Sequence, residues 1–160
     1  MRFRTAGLRF FRRARKISMD GSLSPLSEWL YRVHGATAFA MFGVIWIVQL
    51  LVYPGFRRIS PQEWAMHHRE HSTRISFVVV PLMLSELCAA ILLALTDFSF
   101  ATGAAVGCVA VAWLSTFGIQ VPLHHQLSRA HDRAAIERLV RSNWIRTAAW
   151  TAKAIVVWTA

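Results

Sequence analysis

Charge is almost absent from most of this sequence. No Asp, Glu, Lys or Arg occurs from Val33 to Phe56 or from Phe98 to Ser128. The stretch from Ile75 to Thr96 holds Glu86 alone, and Ser142 to Ala160 holds Arg146 and Lys153. A helix that crosses a membrane needs about 20 mostly apolar residues. These runs leave nothing polar to cover their outer faces, which speaks against a soluble helical domain. They are continuous rather than alternating, which speaks against barrel strands. Acidic residues are also scarce, with 8 Asp and Glu against 18 Lys and Arg. The two cysteines, Cys88 and Cys108, fall inside apolar runs, so they give no disulfide framework. No HExxH, CxxC or Glu-x-x-His pattern occurs, so no metal is signalled and its presence stays open.

What is present reads as an all-α protein. The chain of 160 residues is short enough for one domain. The expected fold is a four-helix transmembrane bundle, up-down-up-down, with a short interfacial helix before the fourth span. The membrane domain covers 25–160. Residues 1–24 form a basic N-terminal extension, for which disorder is one reading.

Local signals set the helix limits. Ser24-Pro25 reads as an N-cap with proline at the first helical position, and Pro54-Gly55 as that helix's end. Ser60, Pro61 and Glu63 make a capping box, so the second helix starts near Pro61, well before its apolar run. Its first turns carry His67, His68 and His71, and Pro81 is expected to kink it. After the short link Asp97–Phe100 the third span runs to about Pro122–His125. Gly103 and Gly107 permit close helix packing there. Asp132 can cap a polar segment in which Arg133, Glu137 and Arg141 share one face. The expected helices cover 25–53, 61–96, 101–126 and 132–159.

Basic residues suggest orientation. The first connection carries Arg57, Arg58, Arg69 and Arg74, and the third carries Arg129, Arg133, Arg138 and Arg141. The second has none, so the first and third connections, which are rich in histidine, are expected in the cytoplasm. The N-terminal Arg2, Arg4, Arg9, Arg12, Arg13, Arg15 and Lys16 argue the other way. They read as an orientation or lipid signal rather than a nucleic-acid site, resemble a mitochondrial presequence in composition, and leave Met1 or Met19 as the start. The expected location is a bacterial inner membrane, multi-pass, with the bilayer as partner; an oligomer or a larger membrane complex is open.

Up-down topology brings polar residues to one membrane face. Gln49 and Tyr53 share a helix face by spacing, as do Gln120 and His124, and Asn143, Arg146, Trp150 and Lys153 form a seam. His68, His71, His124, Arg146 and Asn143 are the candidate catalytic residues. Histidine moves protons near neutral pH, and Arg with Asn stabilises an oxyanion. Gln49, Tyr53, Gln120 and Trp150 are candidate substrate-binding residues. Glu86 and Lys153 reach similar depth from the same side and are expected to form a midplane ion pair, since lone charges there are costly.

The stretch Tyr53-Pro54-Gly55-Phe56-Arg57-Arg58-Ile59-Ser60-Pro61, then Val121-Pro122-Leu123-His124 and Asn143-Trp144-Ile145-Arg146-Thr147, resembles the anthrone oxygenase-like family of small membrane proteins. It is closer to uncharacterised bacterial four-helix membrane proteins with Gln-Val-Pro-Leu-His and Asn-Trp-Ile-Arg-Thr motifs. His124 stands where the oxygenase-like family shows Asn, and the order Asn143-Trp144 is reversed. The resemblance implies an oxygenase that uses molecular oxygen on a flat aromatic substrate. Three functions stay open: a membrane oxidoreductase acting on a lipid-soluble aromatic or quinone-like molecule, a non-enzymatic subunit that binds a partner or cofactor, and a transporter component. No cofactor is identified by any motif, and a cofactorless protein is one reading.

Overall fold

A computed structural model describes residues 25–160; the basic extension and the Ser24 cap lie outside the described residues. The described residues are helical, with no strand among them. Three helices, Ser27–Arg58, Pro61–Thr96 and Phe100–Leu127, are long and apolar enough to cross a membrane, which marks the chain as a membrane protein. Their outer faces carry large exposed side chains such as Phe77, Phe100 and Leu114, the pattern expected where lipid replaces water.

The first helix runs Pro25–Ile47, widens into a π turn at Val48–Val52, and closes through Tyr53–Gly55 and a 3-10 turn at Phe56–Arg58. It therefore continues past Pro54, where the sequence suggested a stop. The third does the same: Phe100–Ser115, a π turn at Thr116–Gln120, then Val121–Leu127, with Pro122 inside. In each case a proline follows just after the widened turn. A proline ring crowds the carbonyl four residues back and offers it no N–H. Widening the preceding turn relieves both problems, and the backbone bonds from Tyr53 to Val48 and from Val121 to Thr116 are the i→i+5 kind. Pro81, by contrast, sits within the unbroken second helix.

That second helix, Pro61–Thr96, has 36 residues and is about 54 Å long, so its first turns extend beyond a hydrocarbon core of about 30 Å. Ser60 caps it by accepting from the Glu63 amide at 3.3 Å, and the Ser60 hydroxyl donates back to the Glu63 carboxylate at 2.7 Å. A full capping box, Ser99 with Thr102, starts the third helix. Asp132 accepts from the Ala134 and Ala135 amides at 2.8 and 3.1 Å and starts the fourth. The polar segment expected as a short interfacial helix before the fourth span forms the first turns of one continuous helix, Arg133–Thr159, close to the expected 132–159. No Gly or Pro lies within Arg133–Thr159, and nothing interrupts its helical bonding.

The first helix packs on the second and the fourth, and the third packs on the second and the fourth. The first and fourth run side by side: Gly35 lies against Val157, the Trp46 indole donates to Thr151 at 3.1 Å, and Gln49 meets Asn143 at 3.0 Å. One apolar cluster, built on Met41, Ile45, Met83, Val109 and Trp150, fills the middle. A second, built on Phe56, Trp64, Leu127, Ile136 and Leu139, fills the histidine end. Arg57 grips Glu137 with two bonds of 2.7 and 2.8 Å, tying the first and third connections together at that end.

This pair has a pH consequence. The hydrogen-bonded Arg57 guanidinium holds the Glu137 carboxyl below its ordinary value. Its contribution is present above the unfolded carboxylate value and is lost as pH falls through the lower folded one. Both partners are exposed, so the effect is small and screened by salt. Acidification should lower the melting temperature, and Arg57→Ala should flatten the acidic part of that curve. Identical curves for both proteins would show that the pair does not contribute to stability.

Candidate functional site

The polar residues gather between the two apolar clusters. The Tyr53 hydroxyl meets His124 Nε2 at 3.1 Å, and His124 Nδ1 meets His68 Nε2 at 3.1 Å. This makes a continuous chain of three titratable side chains from the first, third and second helices. The His68 ring stacks on Trp64 at 5.3 Å, and Trp64 is fixed by donating to the Leu127 carbonyl at 2.7 Å. His71 lies parallel to His124 at 6.3 Å and against Phe56 at 4.9 Å.

The fourth helix supplies the fixed positive charge. Arg146 is buried, donates to Asn143 Oδ1 at 3.3 Å, and acts electrostatically on both the Tyr53 hydroxyl and the His124 ring. Asn143 is held in turn: it donates to Gln49 Oε1 at 3.0 Å, which also accepts from Thr147 at 3.3 Å. The Gln49 amide nitrogen donates to the Val140 carbonyl at 3.3 Å. Gln120 donates to the Ser142 hydroxyl at 2.9 Å, and Ser142 gives its own proton to the Arg138 carbonyl at 2.7 Å. The Gln120 carbonyl oxygen and Arg146 Nε are buried and have no partner among the described residues.

A cavity of about 470 Å³ lies beside this network and is lined by all four helices, with Tyr53, His71, Gln120, His124 and Arg146 in its wall. Its remaining wall is largely apolar, including Val79, Met83 and Trp113. Five of its lining residues, Ser76, Val80, Leu84, Phe117 and Val121, are also exposed. The cavity therefore opens sideways, between the second and third helices, onto the apolar flank. Close packing of those two helices is with Phe100–Ser115. Nearer the histidines they are bridged by side chains, through His68–His124 and Trp64–Leu127.

The expected site residues thus divide. Tyr53, His71, Gln120, His124 and Arg146 line the cavity, and His68 stands directly behind His124. Gln49, Asn143 and Trp150 do not line it. They are packed within the core, where Gln49 holds Asn143, Asn143 holds Arg146, and the Trp150 ring faces Lys153. Glu86 and Lys153 form an ion pair with no exposure on either side chain, deeper than the cavity. His67 and His125 are exposed, and no group of three or more His, Cys, Asp or Glu is arranged to hold a metal among the described residues.

Sequence reasoning missed Trp64, Thr147 and Ser142. Two of them carried a usable signal: Trp64 precedes His68 by four residues and Thr147 follows Asn143 by four, so each shares a face with a chosen residue. Comparisons with protein-family models, with curated proteins and with solved structures find no match.

Proposed function

We propose that the chain is a four-span membrane protein, its helices alternating in direction, that oxidises a lipid-soluble aromatic or quinone-like molecule. One observation carries this reading: an apolar cavity opens on the membrane-facing flank and ends at Tyr53, His124 and Arg146. A molecule dissolved in the bilayer enters between the second and third helices. Its acidic hydroxyl or carbon gives a proton to the Tyr53 hydroxyl as Tyr53 passes its own to His124 Nε2, and His124 Nδ1 hands one on to His68. Arg146, aimed by Asn143, stabilises the phenolate or enolate that remains. For the anthrone class that the sequence resemblance implies, dioxygen accepts the electrons. One of its oxygen atoms enters the product and the other leaves as water.

In this reading the fourth span is the apolar half of Arg133–Thr159, and the Arg57–Glu137 end faces the cytoplasm of a bacterial cell. The rival is a non-enzymatic subunit that holds such a molecule without converting it. The saturated Gln49–Asn143–Thr147 network favours it, because such networks also act as helix glue.

The test uses purified protein in lipid nanodiscs, titrated with anthrone and with a hydroxynaphthoquinone. Saturable quenching of tryptophan fluorescence, from Trp113 in the cavity wall, is expected together with oxygen consumption. Binding without oxygen uptake selects the subunit. If neither compound binds, the reading fails.

A further inference from the structure

Away from the histidine end, a buried ion pair joins two helices and a buried histidine stands nearby on a third. Glu86 of the second helix pairs with Lys153 of the fourth, and neither is exposed. His34 of the first helix is buried next to Gly35, which lies against Val157, one helical turn beyond Lys153 on the fourth helix. The surroundings are apolar, among them Met41, Met83, Val109 and Ala149. The third helix brings no charged residue here, because Phe100–Ser115 contains none.

A pair that served purely as a lock would be expected to have its remaining polar atoms satisfied. Here Glu86 Oε1 and His34 Nδ1 have no hydrogen-bond partner among the described residues. His34 also lines a second cavity, of about 900 Å³, at the end opposite the histidine cluster. Its wall includes Tyr31, Asp97, Thr102 and Trp158. Asp97 is exposed there and accepts from the Tyr31 hydroxyl at 2.6 Å, so polar groups lead from the surface toward His34. The other direction is closed. The Trp150 ring, with no exposure, lies 5.9 Å from Lys153 Nζ and occupies the seam between Lys153 and Arg146.

We propose that Glu86 and Lys153 form an internal proton-exchange site that opens to water at the Asp97 end through His34 and is shut off from the His124 site by Trp150. The Lys153 ammonium passes a proton to the His34 imidazole, which releases it to water in the cavity. On acidification a proton enters by the same path, from cavity water through His34 to Lys153, as the ammonium hands one of its own to its partner Glu86, leaving a neutral carboxyl beside a recharged Lys153. N–H and O–H bonds are exchanged and no electrons move. The chain would then have two protonation centres, one addressed from each membrane face. This inference does not depend on the chemistry at the histidine end.

The test is infrared spectroscopy of the full chain in proteoliposomes, following exchange from water into heavy water. The Glu86 carboxyl band is assigned by its loss in the Glu86→Gln, Lys153→Met double variant, in which both charges are removed together. A carboxyl band that grows on acidification is expected. Its deuterium shift should slow about a hundredfold in His34→Leu, the scale of a lost proton-transfer group. His34→Gln, which keeps a polar side chain but cannot titrate, should slow it similarly and serves if the leucine variant does not fold. His124→Leu should leave the rate unchanged. An unchanged rate in the His34 variants, slowing by His124→Leu, or the absence of any pH-sensitive band lost in the double variant would overturn the proposal.

Discussion

Glu86→Gln alone is expected to cost about 3–5 kcal/mol of stability, the scale for breaking a buried ion pair from one side. Lys153 has no exposure, and its charge is paired with Glu86. Removing the carboxylate leaves an ammonium in an apolar layer, with the Trp150 face as weak compensation. The paired change Glu86→Gln with Lys153→Met should recover most of the loss, because no charge then remains to be buried. Both effects are read from helix melting in detergent or nanodiscs. A single variant as stable as the parent would mean that no charge is left buried, because Lys153 either extends to the interface or gives up its proton.

His124→Ala and Arg146→Ala should each remove turnover of an aromatic substrate while leaving membrane insertion intact. For His124 the loss is that of a positioned proton carrier, about 10²–10⁴-fold. Its removal also breaks the hydrogen-bond chain between Tyr53 and His68. For Arg146 the loss is that of a fixed charge facing a developing oxyanion, about 10²–10³-fold in kcat. Asn143→Ala should act through Arg146: it removes the bond that aims the guanidinium, so kcat should fall while KM changes little. Oxygen uptake with the chosen substrate measures all three. Turnover retained in both His124→Ala and Arg146→Ala would move the chemistry away from this cavity, with Glu86 the next place to look.

Much of the secondary structure was legible in the residues. The apolar runs marked the helices, and Ser60 and Asp132 were readable as caps because each cap is a local bond between a side chain and the next turn. The short interfacial helix expected before the fourth span forms its first turns. Cohesion of Arg133–Thr159 comes from the absence of any breaker, and a change from polar to apolar residues does not by itself end a helix. The polar seam on the fourth helix was also legible: Asn143, Arg146, Trp150 and Lys153 are all buried along it.

The opposing faces were not legible, and the two π turns explain why. Gln49 and Tyr53 were placed on one face because they are four apart, as were Gln120 and His124. A π turn inserts an extra residue, and each residue rotates the following helix by about 100°. Gln49 therefore turns to Asn143 of the fourth helix, while Tyr53 turns to His124 of the third. Gln120 and His124 do both reach the cavity wall, but their hydrogen bonds go to different helices, Gln120 to Ser142 and His124 to Tyr53 and His68. The prolines that cause these turns were visible in the sequence but read as helix ends, since a proline's steric demand is local and can be met by stopping a helix or by widening it. The sequence by itself determined where the chain is apolar, where its helices start, and which residue types stand near each end, because those depend on bonds within a few residues. Only the tertiary structure decided which histidine meets which tyrosine, and that a cavity lies beside them, because those depend on how four rotated helix surfaces fit together.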